Sequence, residues 1–456
     1  MARLANPETP ETVREQLVQT LTEGDTEVAA ERLKALHPAA IADVLEASPP
    51  EERLALWRLI PAEVRGEVLV ESPQEVRLQL IDATAPEDLV RAAERLDVDD
   101  LADIDHELPA AAVEAILQAM DEQRRRGFEA VRSYPDDSAG GLMDADALAI
   151  RSDVRLNVVL RYLRRLRQHQ GRLPDHLDAL MVVDRNNRYT GVLRLTDLVS
   201  LETERRVGEV MDSTVAGVPA TMPAARVARL FQDRDLVSAA VIDERGRLIG
   251  RITVDDVVDV IGERAEEAAL APAGLESGVD LFAPVLTSAK RRIVWLGVHL
   301  IGAFVAAWVI GLFGASIEQL VALAILMPVV AAMGGVAGSQ TQTLVTRGIA
   351  LERVGRANAP RLLRNELGVS LANGAFWAVV VAIVASLWFG NLVLAVVFGA
   401  ALAINLLAAA FAGTLVPLAL NRFGFDPALG SAVVVMALTD TIGYLVFLSL
   451  ATLFVV

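Results

Sequence analysis

Hydrophobic and polar positions along the 456 residues keep three successive rhythms. Up to residue 135 short apolar runs recur behind Pro38, Pro49, Pro61, Pro73, Pro86 and Pro109, with LDVDD at Asp97 opening the interval that lacks a proline. The proline spacing is 11, 12, 12, 13 and 23 residues, and runs such as RLALWRLI and EDLVRAAERL follow acids or small residues. Proline is accepted in the first turn of a helix, where its missing N–H has no partner to lose. The spacing therefore predicts short stacked helices forming a small α-solenoid. Residues 1–22 read as a mobile or weakly helical tail, and the acidic helical domain as 1–135.

From Ala139 the rhythm changes to β-branched runs between helical stretches, in a segment 136–262 that repeats itself. MVVDRNNRYTGVLRLTDLVS answers AVIDERGRLIGRITVDDVVD, aligning Asp184 with Asp243, Gly191 with Gly250 and Asp197 with Asp256 at an offset of 59. Met143–Asp144 pairs with Met211–Asp212 at 68, so the first copy carries extra residues around HQGRLPDH. Strand, turn, strand and helix, given twice, make a closed α/β pair. This pair resembles a tandem cystathionine-β-synthase-type (CBS) module. Gly250, Thr253 and Asp256 match the Gly-x-x-Thr-x-x-Asp ribose signature of such modules, which implies an adenine nucleotide such as ATP; Arg194 replaces the hydroxyl in the other copy. A strand-to-helix turn with an aspartate cap is the plainer reading.

The third rhythm is long and apolar. After a polar connecting segment at 263–290, apolar stretches run over roughly 293–313, 320–346, 367–389, 392–420 and 429–455. Each exceeds the ~20 helical residues that span a hydrocarbon core. The fold class is therefore multidomain: an α-helical solenoid N-domain, an α/β tandem CBS module, a connecting (plug) helix against the membrane, and a five-helix all-α transmembrane domain over 291–456. Arg347, Arg353, Arg356, Arg361 and Arg364 fall between the second and third spans and Arg422 after the fourth, whereas GASIEQ and GN contain no Lys or Arg. The positive-inside rule then puts the N-terminus in the cytosol of a bacterial inner membrane and the C-terminus outside. No signal-peptide core precedes the first domain.

Charge sharpens the division. The net charge of −17 splits into +3 from Arg291 onward and −20 over residues 1–290. An acidic soluble part repels nucleic acid and anionic surfaces and attracts cations. With no cysteine, disulfides, thiolate metal sites and cysteine nucleophiles are excluded. Histidines 37, 106, 169, 176 and 299 show no metal-ligand spacing, and no Gly-x4-Gly-Lys-Ser/Thr loop occurs, so neither an enzyme nor an ATPase motor of that type is expected.

Two spans depart from an inert anchor. The second holds Pro328 followed by AAMGGVAGSQTQT, a density of small and polar residues that must face protein or water; close helix packing explains the same residues. The fifth carries Asp440 within LTDTIGY, eleven residues past Leu429 and so ~17 Å along the helix, near the midplane. A bare carboxylate there costs at least ~2.5 kcal/mol, and no Lys, Arg or His is expected at its depth to neutralise it. One acid per chain is too few for a dehydrated cage. It suits hydrated magnesium, which keeps its waters and takes one or two carboxylates, here one from each half of a symmetric homodimer.

Together these residues resemble the MgtE magnesium-channel family over nearly the whole chain. The resemblance implies that Asp440 is the pore acid and that Pro328, Gly334, Gly335, Gly338 and Gln340 line the pore. Val336 stands where that signature has Asn, and Ala432 where the fifth span has another polar residue. The resemblance also implies a cytosolic magnesium sensor at Asp99, Asp103, Asp235, Asp256 and Glu267, while Pro223, Ala225, Arg264 and Ala268 replace other sensor acids. Passive entry of magnesium, for which a dication gains ~4.6 kcal/mol per 100 mV, is the leading expectation. Coupling to protons or sodium is a second, and a non-conducting nucleotide-sensing scaffold a third.

Overall fold

The computed structural model describes residues 9–170, 173–174, 176–275, 278–351, 353–355, 357–428 and 430–456. It divides into two units, Met1–Ala265 with Gly278–Ala283, and Glu266–Ser277 with Pro284–Val456.

In the first unit the proline rhythm becomes helices. Pro38–Glu46, Pro50–Leu59 and Pro86–Ala93 begin on proline, and Ala62–Glu71, Gln74–Asp82 and Ala110–Ala119 follow a proline at the capping position. Asp97 stands at the N-cap position of Val98–Ile104, where LDVDD suggested a helix start. Alternate helices pack on one another, Pro38–Glu46 on Ala62–Glu71, that on Pro86–Ala93, and that on Ala110–Ala119, which is solenoid stacking. Gly66 permits one of these crossings, since a Cβ there would lie 2.3 Å from the Ala92 carbonyl oxygen.

The tail departs from expectation. Residues 1–8 lie outside the described residues, but Pro10–Thr22 is a regular helix whose Leu17 is buried in the solenoid core. Val13, Leu17 and Leu21 recur at four-residue intervals and supply an apolar face, and Arg14 reaches Glu52 at 2.8 Å.

The repeat is a structural one. Ala149–Arg151, Ala179–Val183 and Tyr189–Arg194 form one three-stranded sheet, and Val218–Pro219, Ser238–Ile242 and Leu248–Thr253 the other, each with one parallel and one antiparallel pairing. Ala179 faces Arg194 as Ser238 faces Thr253, again at an offset of 59. Asp184 and Asp243 each accept two backbone N–H groups across the hairpin turn. The paired glycines have one reason: a Cβ on Gly250 would meet the Asp144 carbonyl at 2.8 Å, and one on Gly191 the Asp212 carbonyl at 2.4 Å. Each Met-Asp segment thus packs on the opposite copy's sheet. Residues 171, 172 and 175 of the insertion lie outside the described residues.

The connecting element starts earlier and ends sooner than 263–290. One helix, Val254–Leu270, runs on from the second CBS copy, and a 3-10 turn at Ala271–Ala273 follows it. Gly278–Ala283 is not helical but returns to the solenoid, where Asp280 meets Arg53.

The second unit holds five long apolar helices, Val285–Gly311, Ala322–Ala350, Ala359–Phe389, Leu392–Arg422 and Ser431–Phe454, called spans one to five below. The first and third begin about eight residues before their apolar stretches, because polar turns extend them. GASIEQ is itself a short helix, Gly314–Gln319. Spans two, four and five form the packed centre, with span three against span four and span one against span five.

Candidate ion path and acidic cluster

The small residues of span two are spoken for by its neighbours. A Cβ on Gly334 would fall 2.2 Å from Asn405 Nδ2, one on Gly338 2.7 Å from Val435, and one on Gly413 of span four 2.7 Å from the Gly338 carbonyl. Asn405 is fully buried, donates to the Val330 carbonyl at 2.9 Å, and lies 2.7 Å from where a Cβ on Gly443 would sit. Gly334 and Gly338 therefore bring three helices together, with spans four and five filling the side where each glycine lacks a Cβ. Gly335 is also buried but has nothing nearer to its Cβ position than Met436 at 3.9 Å.

Pro328 and Gln340 turn the other way. Val329, Ala332, Val336, Gln340, Thr343 and Arg347 recur at steps of three and four along one exposed face of span two, with Val336 59% exposed. Pro328 borders that face and denies the Ala324 carbonyl its usual helical donor.

One turn before Asp440, Met436 is the neighbour of Gly335, so spans two and five lie together near this acid. Its side chain is half-buried and makes no hydrogen bond or ion pair with any described residue. The flanking hydroxyls do not serve it: Thr439 donates to the Met436 carbonyl at 2.9 Å and Thr441 to the Ala437 carbonyl at 2.8 Å. A neutral acid shared with a neighbouring helix is thus not what the geometry presents.

One expectation about its isolation fails. His299 of span one lies in the neighbourhood of Asp440. Gly302 packs on Ala437, so the two spans lie together at this level, and the earlier start of span one moves His299 to the middle of its helix. Glu366 of span three adds a buried acid, 8% exposed, accepting from Thr341 at 3.1 Å. Next to it Gln342 donates to Ser431 at 2.6 Å. Asn405, Gln342, Glu366 and His299 were each legible as polar residues in apolar helices; which neighbour they meet was not.

In the first unit the solenoid and the CBS pair bring carboxylates together. Burial first, then Asp100, Asp256, Asp144 and Asp97, push Asp99 well above the usual carboxylate range, and its Oδ1 has no hydrogen-bond partner. Asp100 is pushed up to about 7 by burial and then by Asp97, Asp103 and Asp256. Asp103, exposed at its surface, is also pushed up to about 7, by desolvation from the groups packed around it and then by Asp136, with Arg77 opposing. Asp256 rises to about 6, with burial outweighing its hydrogen bonds from Thr253.

Three predicted sensor residues, Asp99, Asp103 and Asp256, are therefore neighbours, joined by Asp100, which the sequence reading passed over. Asp235 is not among the acids that act on them; it ends the helix Ala224–Arg234 in a left-handed, exposed conformation at φ 49°. Glu267 is exposed on its helix in the second unit. Among the described residues no three Asp, Glu or His side chains form a ready-made metal cage. Carboxylates close enough to repel, yet not gathered into a cage, can be drawn together by a bridging cation.

The ribose-signature residues are engaged locally. The Thr253 backbone N–H donates to Asp256 Oδ2 at 3.0 Å, the reciprocal half of a helix cap, and the Thr253 hydroxyl lies within hydrogen-bond reach of both Asp255 Oδ1 and Asp256 Oδ2. Gly250 is pressed against Met143 and Asp144.

A helical solenoid, a tandem α/β regulatory pair, and five membrane-length helices with an unpaired carboxylate midway define a multi-pass membrane transport protein with attached regulatory domains. Residues 327–450 match the family model described as a divalent cation transporter, 36–137 the MgtE intracellular N domain, and 139–204 and 207–263 the CBS domain. The magnesium transporter MgtE of Thermus thermophilus is 32% identical over 446 residues, covering 96% of this chain and 97% of that one. The Bacillus subtilis magnesium transporter MgtE is 27% identical, covering 92% of each. A crystal structure of the cytosolic domain of the Mg2+ channel MgtE in complex with ATP aligns at 34% identity with a TM-score of 0.48, over 54% of this chain and 99% of that one. The chain belongs to the MgtE family of magnesium transporters.

Proposed function

We propose that the protein is a homodimeric magnesium channel in which Asp440 from each protomer holds a hydrated ion midway through the membrane. The observation that carries this reading is the Asp440 carboxylate, half-buried at mid-helix without a hydrogen-bond or ion-pair partner among the described residues. An acid in that position needs a compensating cation or water. The exposed face of span two, with Gln340 and Thr343 among apolar residues, is a poor lipid surface and a suitable wall for a path shared with a second copy. Pro328, Gly335 and Gln340 are the signature residues this reading keeps near the path; Gly334 and Gly338 support the packing behind it.

Orientation belongs to the same proposal, with the N-terminus cytosolic and the arginine-bearing loop between spans two and three on that side. Magnesium from the cytosol would bridge Asp99, Asp100, Asp103 and Asp256 and favour the closed pore, with Asp235 and Glu267 as further candidates. For this to gate, the closed arrangement must bind the ion more tightly than the open one. ATP at Gly250, Thr253 and Asp256 is a separate proposal, tested by nucleotide titration of the full-length protein and of Thr253→Ala.

The direct test is divalent-ion flux into proteoliposomes. Asp440→Asn, nearly isosteric, should cut magnesium uptake at least about a hundredfold, in the range of losing a charge that acts directly on the transported ion, while elution as a folded dimer is retained. Uptake equal to the parent in a correctly folded Asp440→Asn protein would remove the pore assignment.

Proton coupling is the second reading, favoured by His299 beside Asp440 and by buried Glu366. Uptake at fixed potential and fixed magnesium gradient, with and without a proton gradient, separates the two, because passive flow follows the electrochemical gradient of magnesium alone.

A further inference from the structure

Between spans two and three, Arg353, Val354 and Asn358 border an open cleft that neither the ion path nor the acidic cluster uses. Its volume is about 810 Å³, within the range of small-molecule sites. Arg353 and Val354 wall one side, and Arg361, Arg364, Asn365, Gly368, Val369 and Ala372 of span three form the other.

The loop wall is built rather than draped. The Arg353 and Val354 N–H groups both donate to the Gly348 carbonyl, at 2.9 and 3.0 Å. Asn358 donates to the Arg353 carbonyl at 2.7 Å and accepts from the Gly355 N–H at 2.8 Å. Arg353 is thereby fixed beside the start of span three.

On the span itself the lining residues recur every three or four positions, so they form one helical stripe. Its composition is graded. Arg361 and Arg364 stand at the polar end, Asn365 follows, and then Gly368, Val369 and Ala372 continue into the apolar part. Eleven residues separate Arg361 from Ala372, or ~17 Å along the axis. The small residues hollow the inner part of the stripe, and Gly368 has no atom near its Cβ position.

Electrostatics select the ligand. Arg353, Arg361 and Arg364 make no ion pair or side-chain hydrogen bond with described residues, and among the described residues no carboxylate lines the cleft. Three guanidinium groups around one cavity repel one another until an anion enters, and their planar forks suit phosphate oxygens. Topology alone explains arginines in this loop. It does not explain why they converge on a cavity that becomes apolar away from them.

We infer that this cleft binds an anionic phospholipid, its phosphodiester held by Arg353, Arg361 and Arg364 and its upper acyl chain lying along Gly368, Val369 and Ala372. A free phosphate would satisfy the arginines but leave the apolar stripe unused, whereas a lipid uses both. Basic pockets at the ends of membrane helices are a recurring solution for such headgroups.

The test is native mass spectrometry of the full-length protein in mild detergent, titrated with phosphatidylglycerol, phosphatidylcholine or inorganic phosphate. The parent should prefer phosphatidylglycerol over phosphatidylcholine, and Arg361→Gln with Arg364→Gln should reduce that binding roughly thirtyfold. Val369→Trp, which fills the stripe and leaves every charge and the topology signal in place, should reduce it as well. Arg422→Gln, which removes a positive charge outside the cleft, should not. Phosphatidylglycerol binding unchanged in both cleft variants would overturn the inference. So would its full displacement by inorganic phosphate at equal concentration, since that marks a simple anion site.

Discussion

A guanidinium shut away from water is tolerable only where acceptors surround it, and Arg53 meets that condition in full. Its side chain is completely buried and donates to Asp280 at 2.7 and 2.9 Å, to the Leu45 and Ser48 carbonyls and to Gln79. Burial works to raise the Asp280 acid, but hydrogen bonds from Arg53, the Phe282 N–H and Gln79 prevail and hold it below the usual carboxylate range. An acid held low contributes stability above its ordinary value near pH 4, and the contribution fades only in stronger acid. Replacing Asp280 by Ala strands the Arg53 charge, so the solenoid should lose ~3–5 kcal/mol. Replacing both residues with Met and Leu should recover most of that loss. Hydrogen exchange of the backbone amides within Pro50–Leu59 reads both effects, and protection in Asp280→Ala equal to the parent would show that the pair contributes nothing specific.

At the scale of elements, the packing of spans two, four and five makes a graded prediction. Gly413→Val should sharply lower the yield and thermal stability of the purified protein, because its first new atom meets the Gly338 backbone carbonyl at 2.7 Å. Gly335→Ala has 3.9 Å of room and should be tolerated. Comparable losses in the two variants, measured by size-exclusion thermal shift, would contradict the packing described. The elements themselves were largely legible. Proline intervals, an internal repeat and long apolar stretches are periodic signals, and period survives without knowledge of neighbours. Helix ends were less so: spans one and three begin in polar turns that look like loop, and the helix Pro10–Thr22 gains its order from Leu17 meeting the solenoid. The roles of Gly334 and Gly338 could not be settled from sequence, because a glycine that admits another helix and one that bares a carbonyl to an ion leave the same letter. Asn405, against which Gly334 and Gly443 pack, was simply one polar position in span four.

At the scale of the whole molecule, the excess of 20 negative charges over residues 1–290 marked a surface that attracts cations. It could not say which carboxylates meet, because Asp99, Asp100 and Asp103 come from the solenoid and Asp256 from a CBS helix 150 residues on. Asp235, similar in sequence context, ends up exposed on a helix terminus instead. The acids that do meet carry a definite pH signature. Asp100 and Asp103, raised to about 7, and Asp256, raised to about 6, bind protons more tightly when folded than when unfolded. Between their ordinary values near 4 and their folded values the native state holds more protons, so stability falls as pH rises through that window. Above pH 7 the full repulsion is present. In EDTA, amide protection across Val98–Ile104 and the start of Val254–Leu270 should accordingly be high at pH 5 and lower at pH 7.5. Millimolar magnesium should restore protection at pH 7.5 and change little at pH 5, where protons already neutralise the oxygens the ion would bridge. Asp100→Asn with Asp103→Asn should flatten both responses together, since proton and magnesium act on the same carboxylates. A magnesium response that survives in the double variant at full size would place the sensing ion elsewhere in the acidic domain, and a pH response of opposite sign would mean that these carboxylates are stabilised as charges rather than strained by one another.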